Sequence, residues 1–196
     1  MDGTSIKDKK KTMRLECARK AALLPDLYME KANEAMYKLL IQSGIYQNAS
    51  SLFVYISTDR EPDTRRLIQR AWQDRKDVFV PLCHGRGRMD AVRINDWKAL
   101  KPGRLGILEP DGTHGLETAQ DVDLCVVPCV SASKDGFRLG HGAGYYDCWL
   151  GEHRAASVCL CFERMISESV PYEAWDAPIA YVLTENGFSP ALQDKA

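Results

Sequence analysis

Asp123-Leu124-Cys125-Val126-Val127-Pro128 leads through a short link into Lys134-Asp135-Gly136-Phe137-Arg138-Leu139-Gly140-His141-Gly142-Ala143-Gly144-Tyr145-Tyr146-Asp147. The first segment is a short, unbroken apolar run, as a strand buried on both faces requires. The second places four glycines in nine residues, with Arg138 among them and Tyr-Tyr-Asp closing the run. Glycine lets backbone N–H groups turn toward an anion, arginine adds a planar donor fork, and a carboxylate just beyond can hold a metal that bridges phosphates. The run reads as a phosphate or nucleotide cradle, against the alternative of a plain glycine loop. Its Gly140-x-Gly142-x-Gly144 spacing is not the dinucleotide fingerprint, and the Gly-Lys-Ser/Thr of a P-loop is absent.

Working outward, strands alternate with helices. Helix-forming residues fill Ile6 to Leu24, and Pro25-Asp26 opens a second helix that reaches about Ser43, with Gly44 as its stop. Ser51 to Ile56 reads as a buried strand, Pro62 to Trp72 as a helix, and Val78 to Pro81 and Met89 to Ile94 as strands. Lys101 to Gln120, dotted with glycine and proline, reads as a loop. A helix from Tyr145 to His153 precedes strands at Ala156 to Cys161 and Ala180 to Thr184. This order predicts a single α/β domain over residues 1–196, built around a mostly parallel sheet. Ligands of such sheets sit beyond the carboxyl ends of the strands, where the glycine run falls.

The chain has 196 residues and a net charge of −1, which argues against a strongly basic nucleic-acid binder. No apolar run approaches a membrane span and no hydrophobic signal core opens the chain, so a cytoplasmic protein without membrane contact is expected. Seven cysteines without a Cys-x-x-Cys pair read as reduced, mostly buried thiols. His84, His114 and His153 show no metal-ligand pairing. Lys7, Lys9, Lys10, Lys11, Arg14, Arg19 and Lys20 form a basic cluster: a solvated helix face, a disordered arm or an anion site. Lys10 and Arg14, four apart, share one helix face.

The glycine run from Gly136 to Asp147 resembles the signature of the 5-formyltetrahydrofolate cyclo-ligase (methenyltetrahydrofolate synthetase) family. Lys10 with Arg14, Tyr55-Ile56-Ser57 with Glu61 and Thr64, Gly106-Ile107-x-Glu109-Pro110 and Thr184-Glu185 match further family segments in the same order. The resemblance implies an open three-layer α/β/α fold, and ATP-dependent closure of 5-formyltetrahydrofolate, polyglutamylated or not, to 5,10-methenyltetrahydrofolate by a monomer that uses Mg²⁺. It makes Lys10, Arg14, Arg138, Leu139, Gly140, His141, Gly142, Ala143, Gly144, Tyr145 and Tyr146 ATP-binding residues, with Arg138 catalytic. Ile56, Glu61 and His141 to Tyr145 would contact the folate, and Asp147 and Asp176 would bind the metal. No catalytic proton role falls to His141.

The chain departs from the family pattern at Ala132-Ser133, Cys148, Trp175 and Ala180. The rival reading is a non-catalytic paralogue that binds folate or nucleotide and regulates a partner. The presence of both Asp147 and Asp176 favours catalysis over it.

Overall fold

The computed structural model describes residues 5–85, 87–103, 106–112 and 116–190; His114 lies outside them. The chain begins with helices α1 (Ile6–Ala22), α2 (Asp26–Gln42) and α3 (Gly44–Asn48), followed by strand β1 (Ser51–Val54), helix α4 (Arg65–Gln73) and strands β2 (Asp77–Gly85) and β3 (Arg88–Arg93). Short strands β4 (Leu100–Pro102), β5 (Leu108–Pro110) and β6 (Thr118–Ala119) come next, then β7 (Leu124–Val127), β8 (Ser131–Ala132) and β9 (Arg138–Leu139). Helix α5 (Tyr145–Glu152) and strands β10 (Ala156–Leu160), β11 (Tyr181–Thr184) and β12 (Gly187–Pro190) complete it.

Among the described residues the main sheet has the order β12-β11-β10-β7-β1-β2-β3-β6. The five central strands, β11 to β2, pair in parallel, and antiparallel strands close both edges. This is the expected α/β class. The central strands are apolar throughout because helices cover both faces. Leu160 shares a face with Leu52 and Val126 through the strand register, and it lines a small cavity with Met36 and Leu40 of α2 and Leu67 of α4. Phe53 points the other way, its ring 4.7 Å from Trp149 and 5.7 Å from Tyr146 of α5. Leu52, Phe53, Val54, Leu124, Cys125 and Val158 are completely buried.

Local chemistry moved several boundaries. Helix α2 stops just before Gly44 as expected, but a further helix follows at once: Ser43 accepts a hydrogen bond from Tyr46 N at 3.3 Å and starts the short α3. Helix α4 begins later than Pro62 because Thr64 is drawn to the segment just past β1. Its hydroxyl donates to Tyr55 O at 2.6 Å and accepts from Ser57 N at 3.1 Å. The stretch expected as a loop, Lys101 to Gln120, contributes the β4–β5 ladder and the edge strand β6. The strands there are two or three residues long, too short to show a period. No helix among the described residues is long and apolar enough to cross a membrane. All seven cysteines are free thiols, five of them buried.

Candidate active site

Past the end of β7 the chain turns through the β8–β9 hairpin and Arg138–Leu139 leads into the turn Gly140–Gly144. Part of the glycine run is therefore strand, and Leu139 is buried. Gly142 (φ +102°) and Gly144 (φ +71°) take left-handed backbone that a Cβ would strain. Gly144 caps α5 without a side chain, so the helix presents its first-turn N–H groups beside the loop. Asp147 lies in that first turn, where a carboxylate is favoured by the helix dipole.

Helix α1 supplies the cations. Arg14 Nε donates to Gly140 O at 2.7 Å, and its guanidinium lies against Gly142. Lys10 Nζ pairs with Glu173 Oε2 at 3.1 Å and with Asp176 Oδ2. The side chain of Lys10 is only 11% exposed. The basic cluster thus divides: Arg14 faces the glycine run and Lys10 the Glu173–Asp176 segment, while Lys7, Lys9, Lys11, Arg19 and Lys20 are exposed.

Arg138 is not the open phosphate fork that its place among glycines suggests. Its side chain is 4% exposed, and its Nη2 pairs with Asp147 Oδ1 at 2.9 Å. Its Nη1 donates to Ala177 O at 3.0 Å, and Ala177 N donates back to Asp147 at 3.1 Å. The segment that carries Asp176 is fixed further by Glu173 N, which donates to Asp176 Oδ2 at 2.7 Å. Tyr172 stacks on Phe137 with ring centroids 3.7 Å apart. Sequence reading missed Glu173, although a carboxylate three residues before Asp176 was the available signal.

On the other side of the glycine turn lies Glu61. It accepts from Thr58 N and Thr58 Oγ1, each at 2.8 Å, and contacts His141 Nε2 at 3.2 Å. Burial pushes its carboxyl upward, but the hydrogen bonds from His141 and Thr58 outweigh this and hold it below the ordinary glutamate value. Ile56 is buried nearby in sequence, at the exit of β1. The two tyrosines differ. Tyr146 stacks on Phe53, and its hydroxyl is sealed from solvent without a hydrogen-bond partner, with burial pushing the phenol up. Tyr145 is half-buried. Tyr146 is thus mainly a core residue whose polar tip is left over.

Among the described residues no cluster of three or more metal-ligating side chains exists. Magnesium is commonly held by one or two carboxylates plus substrate phosphates. Asp147 and Asp176 are hard oxygen donors, and the peptide N–H groups of Glu173, which donates to Asp176, and Ala177, which donates to Asp147, tie them to one short segment. They fit a magnesium ion that shares its coordination with phosphate oxygens.

The family model described as 5-formyltetrahydrofolate cyclo-ligase family matches residues 6–185. A probable 5-formyltetrahydrofolate cyclo-ligase of Caenorhabditis elegans is 31% identical over 80% of this chain and 82% of its own length. The 5-formyltetrahydrofolate cyclo-ligase of Escherichia coli K12 is 28% identical over 85% of this chain and 94% of its own. A solved 5,10-methenyltetrahydrofolate synthetase from Aquifex aeolicus superposes with a TM-score of 0.83 at 24% identity, covering 95% of both chains. A second, from Mycoplasma pneumoniae, gives 0.71 at 14% identity over 90% of this chain and 98% of its own.

Proposed function

The chain belongs to the 5-formyltetrahydrofolate cyclo-ligase family, and on that premise we propose that it closes 5-formyltetrahydrofolate to 5,10-methenyltetrahydrofolate at the expense of ATP. The observation that carries the proposal is the convergence of Lys10, Arg14 and Arg138 with Asp147 and Asp176 around the glycine turn. Phosphoryl transfer asks for charge neutralisation and alignment more than for a nucleophilic side chain. Three cations and a helix N-terminus supply the first, and a turn braced by Arg14 and the Phe137–Tyr172 stack supplies the second.

In this reading Lys10 and Arg14 hold the triphosphate from the α1 side, and backbone N–H groups of Gly140 to Gly144 hold it from below. Arg138 keeps Asp147 aimed at the phosphates and offers positive charge behind it. Asp147 and Asp176 hold magnesium, which when bound spreads the charge developing on the phosphate oxygens. The γ-phosphoryl group passes to the formyl oxygen. The N10 lone pair then attacks the activated formyl carbon, the ring closes and phosphate departs with the former formyl oxygen. The products are 5,10-methenyltetrahydrofolate, ADP and phosphate. Glu61, ionised at neutral pH, accepts hydrogen bonds from the pterin N–H groups, and Ile56 packs against the ring. Holding N10 and the formyl group of one substrate in contact supplies the proximity that ring closure needs.

The test is the near-ultraviolet absorbance of the methenyl product. Purified protein with 5-formyltetrahydrofolate, ATP and Mg²⁺ should produce it, with one ADP per turnover. Its absence with both substrates present would sink the enzymatic reading and leave the binding paralogue.

A further inference from the structure

Each buried cation of the site is held twice. Arg138 pairs with Asp147 and also donates to the carbonyl of Ala177 at 3.0 Å. Lys10 pairs with Asp176 and also with Glu173 Oε2 at 3.1 Å. In each case one partner is a carboxylate assigned above to magnesium and the other is not. Both of the second partners come from the segment Glu173 to Ala177. Several contacts hold that segment in place. The Tyr172 ring lies nearly parallel to Phe137, at 5°. Asp176 N donates to Glu173 O at 2.9 Å, and Glu173 N donates to the Asp176 carboxylate.

This arrangement has a consequence for Lys10 if the site works as proposed above. An ammonium ion is a compact point charge on a flexible stem, and losing a partner frees four torsions. Were Asp176 the only carboxylate near Lys10, committing that carboxylate to a metal would release the side chain. Glu173 prevents this. Its side chain is 24% exposed, so its charge remains partly hydrated, yet it lies within ion-pair distance of a lysine that is nine-tenths buried.

We infer that Glu173 is a positioning residue for ATP: it anchors the Lys10 ammonium at the phosphate end of the site when the Asp176 carboxylate is engaged elsewhere. It acts through Lys10 and touches neither the folate nor the reacting carbon. This rests on the reading of Lys10 as a phosphate ligand.

The experiment is a double-mutant cycle on ATP binding, measured calorimetrically on the full chain with Mg²⁺, with KM values for both substrates alongside. Glu173→Gln should weaken ATP binding about tenfold, the effect of about 1.4 kcal/mol. It should raise the KM for ATP and leave the KM for 5-formyltetrahydrofolate unchanged. In a Lys10→Ala background the same substitution should have no further effect, because the residue acts through that lysine. Glu173→Asp, with the charge kept on a shorter arm, should recover part of the loss. Unchanged ATP affinity in Glu173→Gln, or an equal loss with and without Lys10, overturns the inference. A parallel rise of both KM values also overturns it, since that marks general loosening of the segment. Wild-type protein that fails to bind ATP refutes the proposed function instead, so the two failures are distinguishable.

Discussion

The guanidinium of Arg14 occupies the space that a side chain at Gly142 would need. A Cβ built on Gly142 would lie 3.3 Å from Arg14 Cζ, and the residue has φ +102°. Gly142→Ala should therefore impose backbone strain, costing about 1–3 kcal/mol, and push Arg14 from its 2.7 Å bond to Gly140 O. The expected outcome is weaker ATP binding by about tenfold or more with a modest fall in Tm. Calorimetric titration and thermal unfolding check the two parts separately.

Arg138→Ala should damage stability as well as turnover. The substitution removes the cation paired with Asp147, leaving that carboxylate with the Ala177 N–H, and takes the donor from the Ala177 carbonyl; both residues are half-buried beside the site. Breaking a fully buried pair costs about 3–5 kcal/mol; Asp147 keeps some contact with water, so about 2–3 kcal/mol is expected. Denaturant unfolding measures this. Arg138→Lys should keep part of the charge effect but lose the fork that serves Asp147 and Ala177 together. Methenyl formation should fall steeply in both variants.

The Glu61–His141 contact predicts a pH effect of definite sign. Glu61 is held below its ordinary value, so its stabilising contribution is complete above about pH 4.3 and is lost as pH falls through the lower folded value. His141→Ala removes one of the hydrogen bonds responsible, so the Glu61 titration should move upward. Carbon NMR of the labelled carboxyl group reads the shift directly. The acid limb of folate binding should move up with it.

A control lies at the opposite end of the sheet. Asp123 accepts from Ser50 N at 2.8 Å, Ser51 N at 2.9 Å and Ser51 Oγ at 3.0 Å, pinning the start of β1 to β7. The hydrogen bond from Ser50 N leads in holding its carboxyl below the usual range. Asp123→Ala should cost about 1 kcal/mol, kept small by exposure. The loss should be full at neutral pH and vanish as the wild-type pH falls through the depressed value. Turnover should be unaffected, which a methenyl assay at neutral pH tests.

The parts of the fold that could be read in the sequence are those with a strong local signal. Unbroken apolar runs such as Leu124 to Val127 can only be central strands, and their alternation with helices sets the layers. The edge strand Thr118–Ala119 and the β8–β9 hairpin are two residues to a strand; their existence depends on neighbours that the local sequence does not contain. The same division holds at the site. Glycine spacing and the Lys10/Arg14 interval mark the turn and the helix that brings cations to the site, because backbone geometry and helix periodicity are local. The burial of Arg138, its grip on Ala177 and the pairing of Glu173 with Lys10 arise between segments far apart in the chain. Tyr146 was ambiguous in sequence for the same reason: only the packing of Phe53 shows which way its ring turns.

Cys148 gives the site a vantage point of its own. It is the exposed thiol, while five others lie in the core and Cys83 is half-buried. Burial pushes the thiols of Cys17 and Cys125 up, and contacts with neighbouring thiols as well as burial do so for Cys129, all of which slows their reaction with alkylating reagents. A thiol-reactive dye added to the native protein should therefore settle at the first turn of α5, next to Asp147. The unaltered chain can thus carry its own reporter, and the arrival of nucleotide can be watched as a change in light.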